Sequence, residues 1–200
     1  MAQNPIFTLA FSGESFTHSR FKECHIERRP IGELVLTSGQ PVLCDPAFVE
    51  LNPFARSVRP GRYPVTVCIV HYTDNCKQTD QRIASTTLHL TPQMPSAWET
   101  ATDCSVDSAI ACFMDADAAR ILADQSLVQG DSFAESLAEA MDANYTHTRS
   151  WGEAIVDPIT GLNVIAFSSG WGDGAYTSYW GLDSAGQAVW LLTDFRVLSH

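Results

Sequence analysis

The chain lacks the sequence signals for membrane insertion, export and zinc binding. No apolar run approaches the roughly 18 residues that a membrane-spanning helix needs. There is no CxxC pair and no HExxH motif, and the histidines are dispersed, which excludes the common local zinc motifs. The first 20 residues contain neither the basic n-region nor the long apolar h-region of a signal peptide. We therefore expect a cytoplasmic protein with no membrane contact, no metal and no cofactor.

Positive charge is scarce in the second half of the chain. Residues 1–100 carry 9 Lys/Arg and 9 Asp/Glu, whereas residues 101–200 carry 3 and 14. The whole net charge of -11 therefore comes from the second half. An acidic surface repels phosphate backbones, so nucleic acid is not expected as a partner. The same field attracts a basic protein and steers its approach.

The six cysteines do not form a disulfide pattern. They are scattered, no export signal precedes them, and a 200-residue domain can bury a stable core without covalent links. We expect buried, reduced thiols.

The hydrophobic pattern predicts one α+β domain over residues 1–200, built mainly as an antiparallel sheet or sandwich. Residues 63–72 are β-branched and aromatic and are expected to pair with the alternating segment 82–90. Residues 31–44 alternate around Ser38–Pro41, which predicts a hairpin, and a proline-rich connection follows from residue 44. Further strands are predicted at residues 163–168, 175–182, 188–192 and 195–198.

A helical insertion is predicted near residues 96–145. Residues 96–103 and 109–125 are rich in alanine. Residues 131–143 place Phe133, Leu137 and Met141 at positions i, i+4 and i+8, which gives one apolar helix face.

A glycine-rich loop, SSGWGDG over residues 168–174, is the most specified turn in the chain. A strand pattern follows its glycines, whereas a dinucleotide-binding loop needs a helix there, and the GxSxG frame of a nucleophile elbow is absent. The loop predicts a tight hairpin with glycines at positive φ and Asp173 bonded to nearby backbone N–H groups. An exposed Trp171 at its tip would anchor a contact.

Two sets of residues suggest a catalytic site: a group of carboxylates, and a cysteine beside a histidine. The carboxylates of Asp115, Asp173, Asp183 and Asp194 could perform acid–base hydrolysis if they converge in one pocket. Cys112 could act as a nucleophile if one of His71, His89 or His147 lies beside it. Helix caps, turns and a buried thiol are the structural alternatives for these residue types.

The predicted insertion is strongly acidic. Between residues 101 and 145 there are nine Asp and Glu residues, whereas Arg120 is the one Lys or Arg. Glu135 and Glu139 form a like-charge pair at i, i+4, which lowers the stability of the helix. This excess of acidic residues forms either a solvated helix face or a surface that binds a basic partner. The candidate partner-binding residues are Asp115, Asp117, Asp124, Glu135, Glu139, Trp171 and Asp173.

Five phrases occur in order between residues 38 and 195: SGQPVLCDP (38–46), NPFARSVRPGRYPV (52–65), CFMD (112–115), FSSGWGDGAYTSYWGLDSAG (167–186) and LLTDF (191–195). Together they resemble the DUF4241 family, whose function is unknown. Families of this type include proteins encoded beside bacterial toxins, so the resemblance implies an immunity role. The leading hypothesis is a non-enzymatic immunity protein that occludes a cognate toxin with a basic cleft. A carboxylate-based hydrolase and a small-ligand-binding protein are the alternatives.

Overall fold

The computed structural model describes residues 16–18, 21–73, 79–126, 132–146 and 148–198. These residues form eleven strands and two helices. In chain order they are β1 (Phe16–His18), β2 (Phe21–Leu36), β3 (Pro41–Cys44), β4 (Gly61–Thr73), β5 (Thr79–His89), β6 (Ala97–Val106), β7 (Ile110–Asp115), α1 (Ala116–Ser126), α2 (Ser132–Asp142), β8 (Trp151–Asp157), β9 (Leu162–Ser168), β10 (Gly174–Leu182) and β11 (Ala188–Asp194).

The strands form two antiparallel sheets. The large sheet has the order β1-β2-β4-β5-β11-β10-β6, and the small sheet has the order β3-β7-β9-β8. The predicted pairing of residues 63–72 with 82–90 is confirmed, because β4 pairs with β5 from Val65↔Leu88 to Thr73↔Thr79. The α+β class with a mainly antiparallel β scaffold is likewise confirmed.

Two cores divide the molecule into three layers. The larger core lies between the sheets and contains Leu34, Val67 and Leu191 of the large sheet with Phe113 and Phe167 of the small one. The second core lies between the small sheet and the two helices. Residues of β7 alternate between the two cores because successive side chains of a strand point to opposite faces.

The helices occupy less of the predicted insertion than expected. They lie inside residues 96–145, but β6 and β7 fill residues 97–106 and 110–115. The reason is clear for β7: it is buried on both faces, so its sequence lacks alternation and cannot be distinguished from a buried helix. Helix α2 begins at Ser132, and residue 131 lies outside the described part of the chain.

Two predicted hairpins are wrong, because the chain changes sheet at both turns. Strand β2 belongs to the large sheet and β3 to the small one, and the glycine-rich loop likewise joins β9 to β10 across the sandwich. Gly39, at φ 72, is required at the first corner, since a Cβ there would lie 2.1 Å from the carbonyl oxygen of Val58. A local turn signal does not say which strand pairs next, so hairpins and corners share it.

Candidate functional site

Asp115 is fully buried and caps a helix. Its carboxylate accepts hydrogen bonds from the Ser38 N–H at 3.1 Å, the Ser38 hydroxyl at 2.8 Å and the Asp117 N–H at 2.8 Å. Because α1 begins at the next residue, Asp115 is its N-cap and joins the first corner to the helix. Its assignment to a partner-binding surface is therefore wrong, since no partner can reach it.

The other predicted carboxylates of the insertion lie on the helical layer. Asp117 forms an ion pair with Arg120 on α1 and accepts a hydrogen bond from the Thr37 hydroxyl at 3.3 Å. Asp124, Glu135 and Glu139 are exposed on α1 and α2. These three carboxylates remain available to solvent and to a partner.

The glycine-rich loop is fastened to the turn between β6 and β7. Asp173 accepts the Ala109 N–H at 3.0 Å, and the Ser169 N–H donates to the Ala109 carbonyl oxygen at 3.1 Å. Gly170 and Gly172 have φ of 62° and 112°, so the predicted positive-φ glycines are confirmed, whereas the backbone N–H that Asp173 accepts belongs to the other turn and not to its own loop. The two corners thus hold each other in place.

Trp171, which the sequence analysis considers as a contact anchor if it is exposed, is half-buried. Its ring packs on the larger core, 6.0 Å from the Tyr72 ring, with the Arg82 guanidinium 5.0 Å from its centroid. Arg82 also donates to the Gly170 carbonyl oxygen at 3.2 Å. The loop is therefore held from inside the protein by a cation–π and hydrogen-bonding arginine.

Asp80 orients that arginine. Its carboxylate contacts Arg82 at 3.0 Å and accepts the Thr148 and Tyr72 hydroxyls at 2.7 and 2.9 Å. Partial burial raises the pKa of the Asp80 carboxyl, but hydrogen bonds from Thr148, the Gln81 N–H and Tyr72 outweigh it and hold the pKa below its usual value.

A cavity of about 320 Å³, here called the loop cavity, opens beside the glycine-rich loop. It is lined by Arg82, Met141, Asp142, Tyr145, Thr148, Ser150, Ser168, Gly170, Gly172 and residues 108–110. Its Ser and Thr hydroxyls are already engaged: Ser150 donates to the Met141 carbonyl oxygen, Ser108 to Asp45 at 2.7 Å, Thr148 to Asp80 at 2.7 Å and Ser168 to the Ser150 carbonyl oxygen at 3.4 Å. The loop cavity thus offers few uncommitted groups to a ligand.

A second cavity, of about 410 Å³, lies beside the edge strands β3 and β6 of the two sheets; we call it the edge cavity. It is lined by residues 43–45, 52–55 and 101–105 and by Phe48, Glu50 and Asp107. The carboxylates of Glu50, Asp103 and Asp107 belong to exposed residues, and no Lys or Arg is among the lining residues. The edge cavity therefore presents a negative potential in a concave site.

The floor of the edge cavity is fixed by Asp45, which is 3% exposed. Its carboxylate accepts the N–H groups of Ala47, Asp107 and Ser108 at 2.9, 2.8 and 2.7 Å, and the Ser108 hydroxyl at 2.7 Å. Asp45 thereby joins the end of β3 to the β6–β7 turn, the same turn that holds the glycine-rich loop.

The carboxylate arrangement considered from the sequence does not form. Asp115 caps α1, Asp173 bonds to Ala109, Asp183 accepts the Ala185 and Gln187 N–H groups, and Asp194 accepts the Arg196 N–H. These carboxylates occupy separate turns, and none lines either cavity. The convergence that a carboxylate-based hydrolase needs is therefore absent from these residues.

Cys112 has no histidine partner in the described structure. Its thiol contacts the sulfur of Cys44 at 3.8 Å and the carbonyl oxygen of Cys44 at 3.4 Å. His71 contacts Glu27 at 2.8 Å, His89 packs on Trp190, and His147 lies outside the described residues. Burial raises the pKa of the Cys112 thiol well above its usual value.

Five cysteines, Cys24, Cys44, Cys68, Cys104 and Cys112, are free, and four of them are buried. Free thiols are thus confirmed for this set, while Cys76 falls outside the described residues. Among the described side chains, no group of three His, Cys, Asp or Glu is placed to hold a metal ion. No described helix is both long and apolar enough to cross a membrane.

The edge cavity could not be predicted from the sequence, because its parts are far apart in the chain. The residues after 44 have the composition of a proline-rich connection and residues 96–103 that of a helix, so nothing local indicates that the two segments lie together. A local signal does exist: DPAFVEL places Phe48 and Leu51 in a turn-rich segment, and both are exposed, by 61% and 52%. Exposed apolar side chains beside acids are typical of a contact surface.

Comparison with known proteins gives a family and no further relatives. No curated protein and no solved structure matches the chain significantly. Residues 34–193, most of the chain, match the family model described as a protein of unknown function, DUF4241. Two of the segments that resemble the family form the two corners: SGQPVLCDP contains Ser38, Gly39 and Asp45, and the glycine-rich loop contains Asp173. The chain therefore belongs to the DUF4241 family.

Proposed function

We propose that this protein is a bacterial immunity protein that binds and occludes a cognate toxin with a basic cleft in the cytoplasm. The observation that carries the proposal is the edge cavity, which is lined by carboxylates and has no Lys or Arg among its lining residues. Negative charge that the protein does not neutralise itself is available to a cation supplied by a partner. The volume of about 410 Å³ is sufficient for a lysine or arginine side chain of that partner.

Apolar side chains beside the edge cavity support a protein partner over a small cation. Phe48 lines the cavity, and Leu51 is exposed in the same segment. Protein interfaces combine apolar anchors with a polar rim, and the anchors contribute most of the binding energy. A toxin surface with a basic side chain next to apolar residues fits this arrangement.

The backbone of β6 adds a third element. Five consecutive residues of this strand, 101–105, line the cavity. Since alternate side chains of a strand point to opposite faces, a continuous lining means that the strand's edge itself faces the cavity. The strand is the terminal one of the large sheet, so an extended segment of the toxin can pair with it.

The exposed acids of the helical layer have a different role in this proposal. Asp124, Glu135 and Glu139 line neither cavity. Charges outside a contact mainly accelerate association with an oppositely charged partner and have little effect on dissociation. We assign these three residues to steering and the edge cavity to contact.

The test uses the toxin encoded beside this gene. Co-expression should restore growth, and the two proteins should purify together as a 1:1 complex that weakens as the salt concentration rises. Failure of both rescue and co-purification would overturn the immunity proposal.

Two triple variants with the same loss of charge separate contact from steering. Glu50→Gln/Asp103→Asn/Asp107→Asn should raise the dissociation constant roughly tenfold or more, mainly through faster dissociation. Asp124→Asn/Glu135→Gln/Glu139→Gln should slow association by a few-fold and leave dissociation unchanged. Loss of binding in the second variant alone would place the contact on the helices.

A further inference from the structure

A pair of thiols lies directly across two neighbouring strands of the small sheet. Cys44, the last residue of β3, is in register with Cys112 on β7, and their sulfur atoms are 3.8 Å apart. Both side chains belong to the core between this sheet and the helices. Opposed residues of an antiparallel pair have Cα atoms about 4.5–5.5 Å apart, which is within the range that a disulfide spans.

The two thiols differ in acidity because each influences the other. The Cys112 thiol and the Glu50 N–H can both donate to the sulfur of Cys44, and the first of these contacts outweighs burial and lowers the pKa of Cys44. Burial and the adjacent Cys44 raise the pKa of Cys112. Burial also raises the pKa of Cys68 and of Cys104 to about 12. Thiolate character is therefore favoured at Cys44 over Cys68, Cys104 and Cys112.

The positions of the two thiols suit an attacking and a resolving cysteine. Cys44 is 3% exposed, but it lies at the end of an edge strand and among the residues that line the edge cavity, and this strand end is the side from which a small oxidant can approach it. Cys112 lies behind it on an inner strand and is fully buried. A disulfide requires the sulfur atoms to move closer by roughly 1.8 Å, and the end of an edge strand can shift more easily than the middle of a sheet.

We propose that Cys44 and Cys112 form a hydroperoxide-reactive pair that closes to a cross-strand disulfide. The Cys44 thiolate attacks an oxygen of hydrogen peroxide, the O–O bond breaks, hydroxide leaves, and Cys44 becomes a sulfenic acid. The sulfur of Cys112 then attacks that of Cys44, the S–S bond forms, and the hydroxyl group leaves as water with the Cys112 proton. Overall, two thiols are oxidised by two electrons, and one hydrogen peroxide is reduced to two water molecules.

The test is peptide mapping of the wild-type protein after brief treatment with hydrogen peroxide, followed by alkylation of the remaining thiols. Trypsin leaves Cys104 and Cys112 in one peptide, because no Lys or Arg occurs between Arg82 and Arg120. A second cleavage before Asp107 separates these two cysteines and makes the assignment unique. The expected product is a cross-linked peptide containing Cys44 and Cys112, which disappears on reduction.

Matched variants identify the roles of the two sulfurs. Cys112→Ser should stop at the sulfenic acid, so that a cyclic diketone probe labels Cys44, and Cys44→Ser should leave Cys112 unlabelled. Cys104→Ser, which changes another thiol at the edge cavity, should form the disulfide as the wild type does. The proposal is overturned if the wild-type protein gives no Cys44–Cys112 cross-link, or if Cys112 is labelled in Cys44→Ser.

Discussion

Replacing Asp45 by asparagine should destabilise the protein, although the side chain keeps its size. In the native protein, one carboxylate oxygen accepts the Ala47 N–H and the Ser108 hydroxyl, and the other accepts the Asp107 and Ser108 N–H groups. An asparagine offers one acceptor oxygen only. In its most favourable orientation, the amide oxygen still accepts the Asp107 and Ser108 N–H groups. The amide nitrogen then points toward the Ser108 hydroxyl and the Ala47 N–H.

The size of the effect follows from what this orientation loses. The Ser108 hydroxyl can rotate and accept a hydrogen bond, but the Ala47 N–H then faces another donor. The Ala47 N–H loses its acceptor, and two further hydrogen bonds lose their charge assistance. Together these losses should lower the free energy of unfolding by about 2 kcal/mol. Asp45→Ala removes every acceptor from three backbone N–H groups and should cost about 4 kcal/mol.

Urea unfolding followed by tryptophan fluorescence measures both values, and Asp183→Asn is the matched control. Asp183 also accepts two backbone N–H groups, those of Ala185 and Gln187, at 2.8 Å each, but in an exposed turn where water replaces a lost bond. The control should cost about 0.5 kcal/mol or less. If Asp45→Asn costs no more than this control, Asp45 does not anchor the turn that connects the two corners.

Two further perturbations test the loop and its arginine. Because the pKa of Asp80 is lower in the folded protein than its usual 3.8, this carboxylate stabilises the fold above that pH and loses its contribution as the pH falls through the lower folded value. Asp80→Asn should therefore flatten the decline in unfolding free energy as the pH falls below roughly 5, and an unchanged profile would contradict the role of Asp80 in holding Arg82. Gly170→Ala should cost about 3 kcal/mol in urea unfolding, since its Cβ would lie 2.8 Å from the Cβ of Phe195 at a φ of 62°. Gly186→Ala, at φ 78° with nothing within 4 Å, should cost about 1 kcal/mol, and equal losses would refute the packing argument.

Much of the fold could be predicted from local patterns. The strands β4 and β5 and their pairing follow from two β-branched segments of suitable length, one of them alternating. The positive φ of Gly170 and Gly172 follows from turn chemistry, which acts within a few residues, whereas the bond of Asp173 to the Ala109 N–H joins two turns that are distant in the chain. The family was also readable from its phrases, and the match over residues 34–193 confirms it.

The candidate site could be predicted less well, because charge in a sequence does not reveal exposure. Asp115 and Asp124 look alike in the chain, yet one is a buried helix cap and the other is on the surface. Trp171 stands among glycines, which suggests exposure, but Tyr72 and Arg82 of the large sheet cover it. Side chains that are distant in sequence decide each of these outcomes.

By itself, the sequence determined the α+β class, the antiparallel scaffold, the turn glycines and the family, since each depends on residues close together in the chain. Only the tertiary structure decided that the two expected hairpins are corners between sheets and that residues 97–106 form an edge strand. It also decided that Glu50, Asp103 and Asp107 line one cavity. The physical reason is that strand pairing is chosen by long-range burial. A local pattern favours a strand, but burial of that strand in the core determines which strand it pairs with.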